Sequence, residues 1–219
     1  MEAALTAQPA NPDLLYYLAK AYGTVSAQIQ LALLRAAPES ARAHQAIADD
    51  HALNGRTDEA IAEYELALRA APEAGGVHSA LGDLYSEASR YEDAARHYAL
   101  ELRHTPDDLD VRHRYGTALL QLGQSAKAVP HLEAAVAGDP TRADAHFDFG
   151  KALFDQGELS AAQKEFQAVL ANGPSLQQAM SAHYELAQIL RRQEEPEAAA
   201  QHLNEFQALR SRLIRAEQQ

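Results

Sequence analysis

Small and bulky apolar residues, set among polar ones, return along this chain at a period of 34 positions. One set reads as a large residue followed by a small one: Ile47-Ala48, Leu81-Gly82, Tyr115-Gly116 and Phe149-Gly150. His51, Tyr85, Leu119 and Leu153 come three residues later, on the same face of a helix. A second set aligns Ala60, Ala94, Ala128 and Ala162, with Tyr64, Tyr98, Leu132 and Phe166 each four residues beyond. Gly55, Gly123 and Gly157 stand between the two sets, where a turn favours a residue free to take positive φ, and Ser89 fills that place once. Pro38, Pro72, Pro106, Pro140 and Pro174 close successive units at the same interval. The spacing predicts antiparallel helix pairs in four full units, 41–74, 75–108, 109–142 and 143–176. A single pair cannot bury its apolar face, so neighbouring pairs are expected to stack.

Both ends bend the pattern. Leu186-Ala187, Leu190, Ala199, Leu203 and Phe206 repeat it after three extra residues, which the comparison places in the connection 172–179. A last repeat with a C-terminal capping helix is expected over 180–219, running on through Leu209, Leu213 and Ile214. Arg210, Arg212 and Arg215 there suit the negative end of a helix dipole. Residues 12–40 read as a repeat shortened at its internal turn, Gly23-Thr24-Val25-Ser26. Residues 1–11 read as the end of a second helix whose first helix is missing. The expectation is one repeat domain over 1–219, cut from a longer chain.

The clearest unit carries His78, Leu81-Gly82, Tyr85, Ala94, Tyr98 and Pro106. This order resembles the tetratricopeptide repeat family. The resemblance implies an all-α fold, a right-handed α-solenoid of antiparallel helix pairs whose first helices line a concave groove. It also implies that the groove binds a protein or peptide. Carried over residue by residue, the candidate groove positions are Asp49, Asp83, Glu87, His113, Leu120, Phe147, Lys151, Phe154, Tyr184 and Arg191. Asp49, Asp83 and Glu87 make the N-terminal part acidic, while Phe147, Phe154 and Tyr184 add aromatic rings beside basic neighbours. Two roles are open to Phe147 and Phe154: anchors for a partner, or packing against the next pair. A well-known subgroup clamps the terminal carboxylate of chaperone tails; here Asp49 and Asp110 stand where they repel one, and only Arg114 fits.

Composition narrows the partner. The net charge is −12, from 31 acidic and 19 basic residues, which disfavours nucleic acid and anionic membrane surfaces. No apolar stretch reaches the ~20 residues of a membrane-spanning helix. Met1-Glu2-Ala3-Ala4-Leu5 lacks the basic start of a signal peptide. The compartment stays open: cytoplasmic, or exported if an upstream signal has been removed. Cysteine is absent, so thiolate chemistry is excluded.

Candidates for chemistry are weak. His44, His78 and His146 recur at one repeat position, and His183 follows after the three extra residues. Successive copies stand on the order of 10 Å apart, too far to share a metal, and no His-x-x-x-His pair occurs, so helix packing is their expected role. His97, His104, His113, His131 and His202 read as sharing no phase, which points to surface or groove positions. Asp49-Asp50 and Asp107-Asp108 diverge by ~100° on a helix and do not converge on a substrate. Asp107-Asp108 fits a helix start instead. No enzyme, cofactor or metal site is expected. The leading reading is a protein-interaction scaffold; the alternatives are a self-assembling spacer, associating weakly through its repeat ends, and a non-catalytic domain of a longer enzyme or exported assembly factor.

Overall fold

A computed structural model describes residues 11–21 and 26–217, which form helices joined by turns, with no strand among them. The all-α expectation holds. The half-repeat expected over 1–11 and the internal turn at Gly23-Thr24-Val25 lie outside the described residues, apart from Asn11. The chain divides into two compact units, 1–104 and 105–219.

In the first unit α1 (Pro12–Ala21) is followed by α2 (Ser26–Ala36). Then come α3 (Ala41–Leu53) with α4 (Thr57–Ala70), and α5 (Val77–Glu87) with α6 (Tyr91–His104). The second unit pairs α7 (Leu109–Gln121) with α8 (Ser125–Gly138) and α9 (Ala143–Asp155) with α10 (Leu159–Ala171). It ends with α11 (Leu176–Arg192) and α12 (Pro196–Glu217). Each helix packs most heavily on its own partner, and α9 also packs on both α7 and α11.

The small positions explain how closely the helices of a pair approach. Ala60, Ala94, Ala128 and Ala162 are fully buried. A Cβ added at Gly82 would lie 2.5 Å from the Tyr98 ring, and one at Gly116 would lie 2.6 Å from Leu132. Tyr64, Tyr98, Leu132 and Phe166 fill the space above the small residues and are buried. In the second unit Leu153, Phe166, Val169, Leu186 and Ile189 join into one apolar cluster that carries the core across α9, α10 and α11.

Local chemistry sets the helix ends. Ser40 accepts from the Ala43 N–H and Asp108 from the Val111 N–H, so Asp108 caps α7. The three extra residues do not lengthen the connection at 172–179 as the sequence comparison expects. Instead α11 begins at Leu176 and runs for 17 residues, against 13 in α7 and in α9. The reason is a capping box: Ser175 accepts from the Gln178 N–H while the Gln178 side chain accepts from the Ser175 N–H. The insertion therefore appears as an added turn of helix.

Two substitutions test this account by urea unfolding. Gly82→Ala drives a methyl into the Tyr98 ring and is expected to cost about 1–3 kcal/mol. Ser89 holds φ +58 where three other repeats use glycine and the last uses Glu194, so Ser89→Gly is expected to gain about 1 kcal/mol. Unfolding midpoints that move the other way contradict it.

Candidate functional site

The candidate positions stand on the first helix of each pair, but the second helix engages several of them. In the first unit Asp49, on α3, accepts hydrogen bonds from Tyr64 of α4 and, at 3.4 Å, from Tyr16 of α1. Asp83, on α5, accepts from Tyr98 of α6 at 2.7 Å. Burial first, and Asp49 second, push the Tyr16 and Tyr64 phenols well above their ordinary range, so both remain donors. The two carboxylates therefore join helices as well as face outward. Of the three acidic candidates in this unit, Glu87 is the exposed one.

A signal for these bonds stands in the sequence. Both aspartates lie 15 residues before a tyrosine. In the other pairs the same two positions hold Thr117 and Leu132, Lys151 and Phe166, and Gln188 and Leu203. Where the phenol is lost, the carboxylate is lost with it. Sequence reasoning also passed over Glu101, which is 6% exposed and accepts from the N–H groups of Gly76 and Ser79. Gly76 has no side chain to cap α5, so α6 supplies the cap.

In the second unit His113 is buried, not open in a groove. Its Nε2 lies 3.0 Å from Asp148, and its Nδ1 meets Arg142 at 3.0 Å. Thr117 donates to the same Asp148 at 2.6 Å, and Arg142 bonds both Asp110 and Asp144. This network fastens α9 to α7. Leu120 is half-buried. Phe147 sits edge-on to Phe166 with ring centroids 5.5 Å apart, and Phe154 is half-buried against the same cluster with the Arg192 guanidinium 4.2 Å from its centroid. The packing role thus accounts for Phe147, while Phe154 presents a ring already covered by a cation.

The remaining candidates come together on α9 and α11. Lys151 reaches Glu185 at 3.8 Å. Burial holds the Glu185 carboxyl above its usual range against the pull of Lys151. Tyr184 is 46% exposed, resting one side on Phe206 of α12. Arg191 is exposed two turns further along α11, on the same side.

The histidines have more order than the sequence reading assigns them. His44 Nδ1 meets Glu63 at 2.7 Å, His78 meets His97 at 3.0 Å, His146 meets Glu165 at 2.6 Å and His183 meets His202 at 2.9 Å. Each partner is 19 residues on. Positions 63, 97, 131, 165 and 202 therefore form one column, in which His97, His131 and His202 share a phase. The glutamates within it, and the added turn before His202, conceal the column from a search for histidines alone. His131 stands opposite Arg112, which turns away to the Pro106 carbonyl, and its buried Nδ1 has no partner.

The tyrosine–aspartate bonds are testable by a double-mutant cycle. Tyr98→Phe is expected to cost about 1–2 kcal/mol. Adding Asp83→Thr, as at Thr117, is expected to recover part of it. Additive losses contradict the coupling.

A tetratricopeptide repeat profile matches residues 26–75 and 79–143, and a second matches 119–182. No curated protein matches the chain. Among solved structures the chain is similar to YrrB, described as a tetratricopeptide repeat protein with an unusual peptide-binding site, at TM-score 0.74 and 24% identity over 82% of this chain and 91% of that one. A MamA fragment from Desulfovibrio magneticus RS-1 matches at TM-score 0.72 and 22% identity over 78% and 95%. PilF of Pseudomonas aeruginosa matches at TM-score 0.69 and 19% identity over 92% and 97%. Among the described residues no helix is long and apolar enough to cross a membrane. With its 34-residue period, its helix pairs closed over small residues and profiles covering more than half its length, the chain belongs to the tetratricopeptide repeat family, whose domains act as protein-interaction scaffolds.

Proposed function

We propose that the chain recruits a partner protein by holding an extended segment of it against α9 and α11 of the second unit. The observation that carries this reading is the exposed Tyr184 with Arg191 on the same side of α11. An aromatic ring half open to water offers apolar area at low entropic cost, and a guanidinium two turns along the same side favours a carboxylate. Lys151 and the Arg192–Phe154 stack extend the same chemistry toward α9. The favoured segment therefore carries an acidic residue about three positions from an aromatic or aliphatic one. In a chain of net charge −12, a cationic patch on one face gives such a segment a preferred place to dock. The peptide site ascribed to the structurally similar YrrB supports a peptide as the class of ligand.

Selection from a displayed random-peptide library, followed by anisotropy titration, tests the reading. Recovered peptides are expected to be acidic and aromatic, and to bind Tyr184→Ala and Arg191→Glu at least tenfold more weakly, with the melting temperature unchanged in Arg191→Glu and both variants folded. Phe147→Ala is expected to lose about 2–3 kcal/mol of stability instead, since its ring packs on Phe166. A library that yields no binder, or binders indifferent to Tyr184 and Arg191, overturns the assignment.

A further inference from the structure

Two of the cross-helix pairs are made of imidazoles alone. His78 of α5 faces His97 of α6 with Nδ1 atoms 3.0 Å apart, and His183 of α11 faces His202 of α12 at 2.9 Å. Their ring centroids are 5.2 and 5.1 Å apart, with interplanar angles of 41° and 43°. The same geometry is thus built twice, in different units, by different neighbours. A carboxylate serves at this position in Glu63 and Glu165, so a hydrogen bond to the first histidine does not by itself require a second one.

The separation has a chemical meaning. Metal–imidazole bonds are ~2.0–2.1 Å long, so nitrogens 2.9–3.0 Å apart subtend about 90° at a shared cation. A tetrahedral centre needs ~3.4 Å between the same atoms, whereas square-planar and tetragonal centres need ~2.9 Å. We propose that His78 with His97, and His183 with His202, form two separate chelating sites for a divalent late transition metal of tetragonal preference, with Cu2+ bound most tightly.

The surroundings suit this use. Burial lowers the proton affinity of all four rings, that of His97 to about 4 with His78 adding to the effect. In each pair one Nδ1 carries the proton of the hydrogen bond, so binding through both Nδ1 atoms moves that proton to the Nε2 of the same ring, and the imidazoles release none. Glu101 adds negative field near the first pair, opposed by His104 and Arg96, with Asp93 also favouring positive charge there. Glu205 does so near the second pair. Among the described residues no three His, Asp or Glu side chains gather around one point, so each site offers two imidazole nitrogens and no third protein ligand.

The full chain, free of any polyhistidine tag, is titrated with Cu2+ near pH 7 by calorimetry and electron paramagnetic resonance. The expected result is two equivalents, each with hyperfine structure from two imidazole nitrogens. His97→Glu and His202→Glu install the residue the chain itself carries at 63 and 165, and retained circular dichroism checks their folding. Each is expected to weaken one equivalent at least tenfold, and the double variant both, while His44→Gln leaves both intact. Unchanged Cu2+ binding in the folded double variant, or no binding to the wild type, shows the pairs to be hydrogen bonds alone and overturns the proposal. Zn2+ bound as tightly as Cu2+ overturns the tetragonal geometry.

Discussion

The closure of one helix over the backbone of its partner is the contact on which the rest depends. Tyr98 lies where a side chain on Gly82 would stand, Leu132 does the same at Gly116, and Phe166 at Gly150. Close approach of this kind fixes both the separation of the two helices and their register along the axis, because a bulky ring seats in only one gap. Once the register is set, side chains at other offsets meet without further specification. Asp83 finds the Tyr98 hydroxyl 15 residues on, and His78 finds His97 19 residues on. The polar contacts are consequences of the apolar closure rather than independent devices.

That dependence explains what was legible in the sequence. The helix pairs, the turns at Gly55, Gly123 and Gly157, and the buried alanine column all follow from comparing each repeat position with its own copies. Pairing between columns does not. His97 aligns with Glu63 and Glu165, and a reader looking for repeated histidines sees disorder where the shared property is a side chain able to meet residue 44, 78, 146 or 183. The displaced last repeat hides His202 further, since the three extra residues enter α11 as helix through the Ser175–Gln178 box. The candidate site was legible in the same partial way. The resemblance names candidates on the first helices alone, while the engagement of Asp49 by two phenols and the burial of His113 depend on the second and neighbouring helices.

Charge is redistributed by these engagements. A net charge of −12 suggests a surface that attracts cations everywhere. Several of the carboxylates nearest the repeat faces are already committed: Asp49 and Asp83 to tyrosines, Glu101 to the start of α5, Asp108 to the start of α7, and Asp148 to His113 and Thr117. A carboxylate held by donors presents less unmet demand to a partner than an open one. The face of α11 has the opposite character, with Arg192 over Phe154 and the exposed Arg191 two turns along from Tyr184. Formal charge therefore misstates which surface a ligand meets, and the repeat explains why. Each unit must satisfy its polar groups across its own helix pair, and only positions left over from that internal pairing are available for recognition.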